Sequence, residues 1–324
     1  AIFAFSAGVF WLVGNLVNDE VWLKRMVAAL LIIGGAAAVL WTIPVTQNFA
    51  YRVFTFAALR PPFWLLIAAM SGGQLLFNRK LTLPARILIA IPLLASLIYT
   101  FVIGRETVSY WAGTGVVLAV LVWLRFPRLR WIALLLLAVI VVSGQVLPSL
   151  YNFAGGTNEW IISGGSRLVL SGRVIDVTMR NPITGLGPAA YRAYARMRPL
   201  PYEDAFWVSP NVSSHNNYVD LFAQTGIVGL ALFAWFAVEF ILLAGRLRVR
   251  FAGDFAAGYV NGALAAFVAA LVIMMLADWI LPFVYNISFA GFQASMLVWL
   301  FMGGLLVYEK LITPQQAEAE KTDP

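Results

Sequence analysis

An all-α polytopic membrane protein is what this sequence predicts, and three observations carry the prediction. Of its 324 residues 61% are hydrophobic and only 11% are charged, against about a quarter charged in an ordinary soluble domain. The mean hydropathy is +0.84. Apolar runs recur along the chain at lengths near the ~20 residues with which a helix crosses a hydrocarbon core. This composition excludes a conventional soluble enzyme and a disordered tail.

A window of about 19 residues finds about nine apolar segments, at 1–17, 26–43, 63–77, 85–104, 107–124, 130–147, 216–243, 255–281 and 287–308. The third is short and carries Ser71-Gly72-Gly73-Gln74, and 44–62, with Pro61-Pro62, reads as an interfacial helix rather than a loop. Gly34-Gly35, Gly72-Gly73 and Gly303-Gly304 read as points of close helix packing. Trp41, Trp64, Trp111, Trp131 and Trp299, near span ends, suit interfacial anchoring. Organisation follows: N-terminal membrane helices over 1–147, an external loop over 148–214, C-terminal membrane helices over 215–308, and a polar tail over 309–324, unstructured from Thr313. Ala1 already lies inside an apolar stretch, without an initiator Met or a basic leader, so the chain reads as a fragment rather than an intact start.

The 22 Lys and Arg against 15 Asp and Glu give a net charge of +7. In a membrane protein such an excess sets topology before it implies nucleic acid, and no nucleic-acid partner is expected. Lys24/Arg25, Arg79/Lys80/Arg86, Arg125/Arg128/Arg130, Arg246/Arg248/Arg250 and Lys310 all fall on one side of the predicted spans, which assigns that side to the cytoplasm. Arg52, Arg60, Arg105, Arg167, Arg173, Arg180, Arg192, Arg196 and Arg198 break the pattern, and all are Arg. A guanidinium fork matches phosphate and carboxylate oxygens, so an anionic ligand at the outer face is one reading and lipid headgroups or local acids the other. With no cysteine and one histidine, no disulfide or thiolate site exists, and no metal or other cofactor is expected. Glu203-Asp204 is a weak metal candidate, read as a solvated pair.

Within the loop, Ser166–Arg180 reads as an amphipathic helix with Arg173, Asp176 and Arg180 on one face. Asn181-Pro182 ends it, Pro182–Pro188 is a Gly/Pro turn, and Ala189–Arg198 reads as a basic helix with Tyr191, Arg192, Tyr194 and Arg196. The loop closes on Ser214-His215-Asn216-Asn217-Tyr218, which places the sole histidine at the mouth of a membrane helix with Tyr218 nearly on its face. A histidine at a helix end is often structural, yet an ionisable group at the edge of a bundle beside an Arg-rich loop is a functional candidate. Arg105, between two spans, needs a hydrated cavity, Glu106 or a ligand phosphate as its partner, and Asp278 is a possible cavity residue.

These residues resemble a family. His215-Asn216, nine residues, then Gly226-Ile227-Val228-Gly229 is similar to the HN-x9-GxxG signature of bacterial O-antigen ligases and the related O-antigen polymerases and protein glycosyltransferases. Ser171-Gly172-Arg173, followed by Pro182-Ile183-Thr184-Gly185-Leu186-Gly187, is similar to the SGR…PxxGxG stretch of the same superfamily. The resemblance covers about 85–245. Ligases typically continue with Thr-Gly where Leu230-Ala231 stands here, which favours the polymerase and protein-glycosyltransferase branches. Family members usually have about twelve spans, so the resemblance implies that the first three are absent from this chain.

The resemblance implies metal-independent, inverting glycosyl transfer at the outer face of a bacterial cytoplasmic membrane. The donor would be an undecaprenyl-diphosphate-linked glycan, and the acceptor a hydroxyl of lipid A core, glycan or protein, as in lipopolysaccharide biosynthesis. His215 resembles the essential histidine, and Arg173 and Arg105 the arginines that hold the diphosphate. Arg192, Asn216 and Tyr218 complete the expected substrate-binding set. The alternatives are a lipid-linked glycan flippase and an inactive accessory subunit of the same fold.

Overall fold

The computed structural model describes residues 2–54, 60–142, 151–153, 156–159, 165–197, 201–202, 206–207, 214–281 and 284–322. The described chain forms helices α1 (Ile2–Leu16), α2 (Glu20–Thr42), α3 (Gln47–Val53), α4 (Pro61–Phe77), α5 (Leu83–Ile103), α6 (Val108–Arg125) and α7 (Arg130–Val142). The loop contributes α8 (Gly165–Thr178), α9 (Tyr191–Met197) and a two-residue antiparallel pair that sets Pro201 against Trp207. Three helices close the fold: α10 (Asn217–Arg250), α11 (Phe255–Ile273) and α12 (Val284–Thr322). Six helices are long and apolar enough to cross a membrane, namely α2, α5, α6, α10, α11 and the Gly291–Ile312 part of α12. The protein is an all-α polytopic membrane protein.

The helices start where the chain offers a side-chain acceptor to free N–H groups. Asp19 caps α2 through Val21 N (2.9 Å) and Asp254 caps α11 through Ala257 N (3.0 Å). The short α4 is the centre of the bundle, with Pro61 through Gln74 buried against α5, α6 and α11. Polar ties cross its interfaces: Ser96 Oγ donates to Trp64 O (3.1 Å) and Gln74 Nε2 to Phe255 O (3.1 Å). Trp64 stacks on Tyr99 at 3.9 Å. A Cβ at Gly73 would meet the backbone of Gly258 and Gly262, so α4 and α11 touch nearly backbone to backbone. Gly303 packs in the same way on Phe10 and Val13 of α1.

All the basic clusters gather at one end of the bundle. Arg79 N donates to Gly253 O (3.0 Å), Lys24 lies 5.7 Å from the Phe255 ring, Arg246 pairs with Glu309 (3.5 Å) and Lys310 donates to Asn18 Oδ1 (2.8 Å). His215 and the loop helices stand at the opposite end of α10.

Two expectations change. The apolar run 255–281 is not one span: helix ends at Ile273, and 274–281 crosses the mouth of the bundle as turns. The cause is polar, since Asn216, Asn217 and Arg167 take the backbone groups of Met275, Leu276, Ile280 and Leu281 as partners. At the other end α12 runs on to Thr322 through the polar segment expected to be unstructured, whose Gln, Ala, Glu and Lys are strong helix formers.

Candidate functional site

Two sequence motifs meet in one joint. Helix α10 is broken at Gly226 (φ 65°, ψ −162°), a conformation essentially reserved for glycine. A break frees carbonyls on one side and N–H groups on the other, and in a membrane helix these require partners. The Pro182–Gly187 turn supplies them. Leu186 N donates to Ala223 O (2.7 Å) and Gly187 N to Gln224 O (3.2 Å), while Pro182 O accepts from Ile227 N (2.9 Å) and Ile183 O from Val228 N (3.3 Å). Gly185 (φ 74°) lets the turn approach, since a Cβ there would lie 2.6 Å from Gln224 C and Gly226 N. Asn181 closes the turn through Gly185 O (2.7 Å).

The half-helix before the break carries His215 at its mouth. Asn216 is the N-cap, its Oδ1 accepting from Tyr218 N (3.0 Å) and Val219 N (3.3 Å). His215 sits just outside the helix in the left-handed region (φ 54°), an uncommon place for a residue of its size. Asn217 is fully buried: its Nδ2 donates to Asp278 Oδ1 (3.1 Å) and Leu281 O (2.8 Å), and its Oδ1 accepts from Ile280 N and Leu281 N (3.2 Å each). Asp220, also buried, accepts from Ser214 N (3.1 Å) and Oγ (2.8 Å). Asn217→Ala leaves several of these buried groups unpaired and lowers stability by about 3 kcal/mol, measurable by unfolding in detergent.

A cavity of about 530 Å³ opens at this mouth, within the size range of ligand sites. Glu106, Ser109, Arg167, Ser171, His215 and Asn216 are among its polar lining, and Tyr151 and Trp279 are aromatic parts of its wall. Arg167 donates from a terminal guanidinium nitrogen to Leu276 O (2.7 Å), which fixes its charge beside the histidine. Asp278, fully buried, places Oδ2 3.9 Å from His215 Nδ1, too far for a hydrogen bond. Burial first, and Arg167 second, push His215 down to about 4, so its imidazole is neutral near pH 7. Behind the wall, the Arg60 guanidinium lies 5.6 Å from the Trp279 ring.

Of the expected site residues, His215 and Asn216 line this cavity. Arg173 does not: α8 turns Arg167, Leu168 and Ser171 to the cavity and Arg173 and Asp176 to a second hollow of about 280 Å³, which Arg180, just past the helix end, lines with Tyr194. The buried face of α8, with Leu170 and Val174, separates the two. Arg180 stands 5.6 Å from the Tyr194 ring. Tyr191, pushed up by burial, feels both Arg173 and Asp220. Arg192, on α9, lines neither hollow. Arg105 is exposed in the turn before α6, where its carbonyl accepts from Trp111 Nε1 (3.1 Å), and Glu106 rather than Arg105 borders the cavity. The Tyr218 hydroxyl donates away from the cavity, to Leu271 O (2.8 Å). Arg198 and Glu203-Asp204 lie outside the described residues. Arg167 is the residue that sequence alone did not single out, its one signal being its place among the arginines that break the charge rule.

A search of curated proteins finds no match to the chain. A family model described as O-antigen ligase matches residues 91–234, a stretch that runs from α5 through the loop, His215 and the break in α10. The glycine joint and the His-Asn mouth both lie inside that stretch, over which the chain is similar to O-antigen ligases, a likeness that supports an O-antigen ligase-like role in glycan transfer.

Proposed function

We propose that this protein transfers a glycan from an undecaprenyl-diphosphate donor to an acceptor hydroxyl, with inversion and without a metal, at the outer face of the cytoplasmic membrane. The observation that carries the reading is His215 beside a fixed Arg167 in one cavity of ligand size, and burial, which pushes the imidazole down, suits it to act as a base. Nδ1 faces Asp278, which leaves Nε2 for the acceptor. The acceptor oxygen attacks the anomeric carbon, its proton passes to Nε2, and the bond from that carbon to the phosphate oxygen breaks. Undecaprenyl diphosphate leaves with the negative charge, and a fixed guanidinium stabilises that charge as it develops. A diphosphate is a good leaving group, so a single base suffices. Arg173, on the far face of α8, serves the glycan or the diphosphate once the donor spans both hollows. The excess of Lys and Arg at the other end of the bundle supports this orientation, because basic residues favour the cytoplasmic side.

The test is reconstitution of the protein with undecaprenyl-diphosphate glycan and a panel of lipid A core, glycan and peptide acceptors. Wild type releases undecaprenyl diphosphate, and the productive acceptor identifies the branch. Arg167→Ala lowers turnover by about 10²-fold, the scale of one lost charge-stabilising donor. Donor binding without turnover for every acceptor overturns the reading in favour of a transporter or an inactive relative.

A further inference from the structure

The basic end of the bundle holds a pair of cations that glycan transfer does not use. Arg248, near the end of α10, and Arg130, the first residue of α7, are both half-buried. An arginine at a span end ordinarily extends its head into water. Arg248 is instead turned onto α11, where its Nε donates to Asn261 Oδ1 (2.6 Å). Asn261 is itself buried and fixed, its Nδ2 donating to Ala257 O (2.8 Å). Arg130 is held in a similar way: its Nε donates to Trp123 O (2.9 Å) of α6, and its guanidinium lies 5.3 Å from the Trp123 ring. In both side chains the inner nitrogen is committed to the protein, which leaves the two terminal nitrogens of each fork to offer.

The charged neighbour that acts on Arg248 is Arg130, another cation. Among the described residues neither pairs with a carboxylate, although other basic residues at this end do: Lys24 with Glu20 (2.6 Å) and Arg246 with Glu309 (3.5 Å). Two guanidiniums held near each other without an anion repel, the more so where they are partly withdrawn from water. Topology explains why arginines gather at one end. It does not explain why two of them are tied down within reach of each other, and an anion shared between the two forks does. The surroundings identify that anion. Beside the two arginines, Trp123, Phe126, Leu129, Trp131 and Val249 are exposed, an aromatic and apolar rim suited to the boundary between headgroups and hydrocarbon. A soluble phosphate gains nothing from such a rim, whereas a phospholipid lays its acyl chains on it. A zwitterionic headgroup would also bring an ammonium towards two cations with no carboxylate to receive it.

We propose that Arg130 and Arg248 form a binding site for an anionic phospholipid, whose phosphate accepts hydrogen bonds from both forks while its acyl chains lie against the apolar rim. The bound lipid ties the start of α7 to the end of α10, two elements that share no packed interface of their own. The site lies at the opposite end of α10 from His215 and does not depend on which reaction the His215 cavity carries.

The test titrates the full chain, in a non-ionic detergent, with phosphatidylglycerol or phosphatidylcholine and counts the lipid retained by native mass spectrometry. Wild type prefers phosphatidylglycerol by about tenfold, the scale of a hydrogen bond to a charged group. Arg248→Lys keeps the charge, and with it the topology and the general attraction to anionic lipid, but loses the Nε anchor and the fork. It lowers retention of phosphatidylglycerol by about tenfold. Arg250→Lys, at an exposed arginine of the same cluster, leaves retention unchanged, and millimolar inorganic phosphate does not displace the lipid. Equal retention of the two lipids, equal effects of Arg248→Lys and Arg250→Lys, or displacement by inorganic phosphate would each overturn the proposal.

Discussion

Gly226→Ala uncouples the loop from the membrane helix and destabilises the protein by about 3 kcal/mol or more. Two costs coincide. The backbone at this position occupies a region that side chains avoid, at about 1–3 kcal/mol. The new Cβ would also press on Ile183 O and lie 2.6 Å from Gly185 N, backbone atoms that already serve as the other half of the joint. Neither side can yield without breaking the four hydrogen bonds that satisfy the interrupted helix, and an unpaired group at membrane depth has no water to turn to. Gly185→Ala meets the same wall from the other side, so the double variant costs less than the sum of the two. Unfolding in detergent and protease sensitivity after Arg180 read the effect. Normal stability with normal transfer in Gly226→Ala would mean that the joint does not hold the loop.

The architecture was legible because apolar runs and arginine placement follow directly from the cost of putting charge in lipid. The joint was half legible: the two glycine motifs stand out in the chain, but not that Gly185 and Gly226 press on one another, since the contact joins residues 41 apart through backbone conformation. The arrangement around His215 was less so. Asp278 and Trp279 sit in an apolar run whose hydropathy hides that its last turns unwind over the cavity. Arg167 and Arg173 share a helix, and only the side of α8 that packs on α10 decides which reaches the histidine.

His215→Asn separates what the histidine does for the reaction from what it does for the fold. Asparagine tolerates the left-handed backbone at φ 54° better than other side chains, so the variant keeps wild-type stability at pH 7 or gains up to about 1 kcal/mol. Turnover nevertheless falls by about 10²–10⁴-fold, the range for loss of a general base. The pH dependence gives an independent check. The folded protein holds His215 near 4, below the ordinary 6.5, so the fold prefers the neutral ring. Its contribution to stability is complete above pH 6.5, declines as the pH falls, and is lost below about 4. Across that window wild type loses of order 3 kcal/mol that His215→Asn does not lose. The same low value keeps the base unprotonated in mildly acidic surroundings, so the acid limb of transfer lies near pH 4 rather than 6.5. A limb at 6.5 would place the imidazole in water, away from Arg167, and remove it from the cavity on which the proposed chemistry rests.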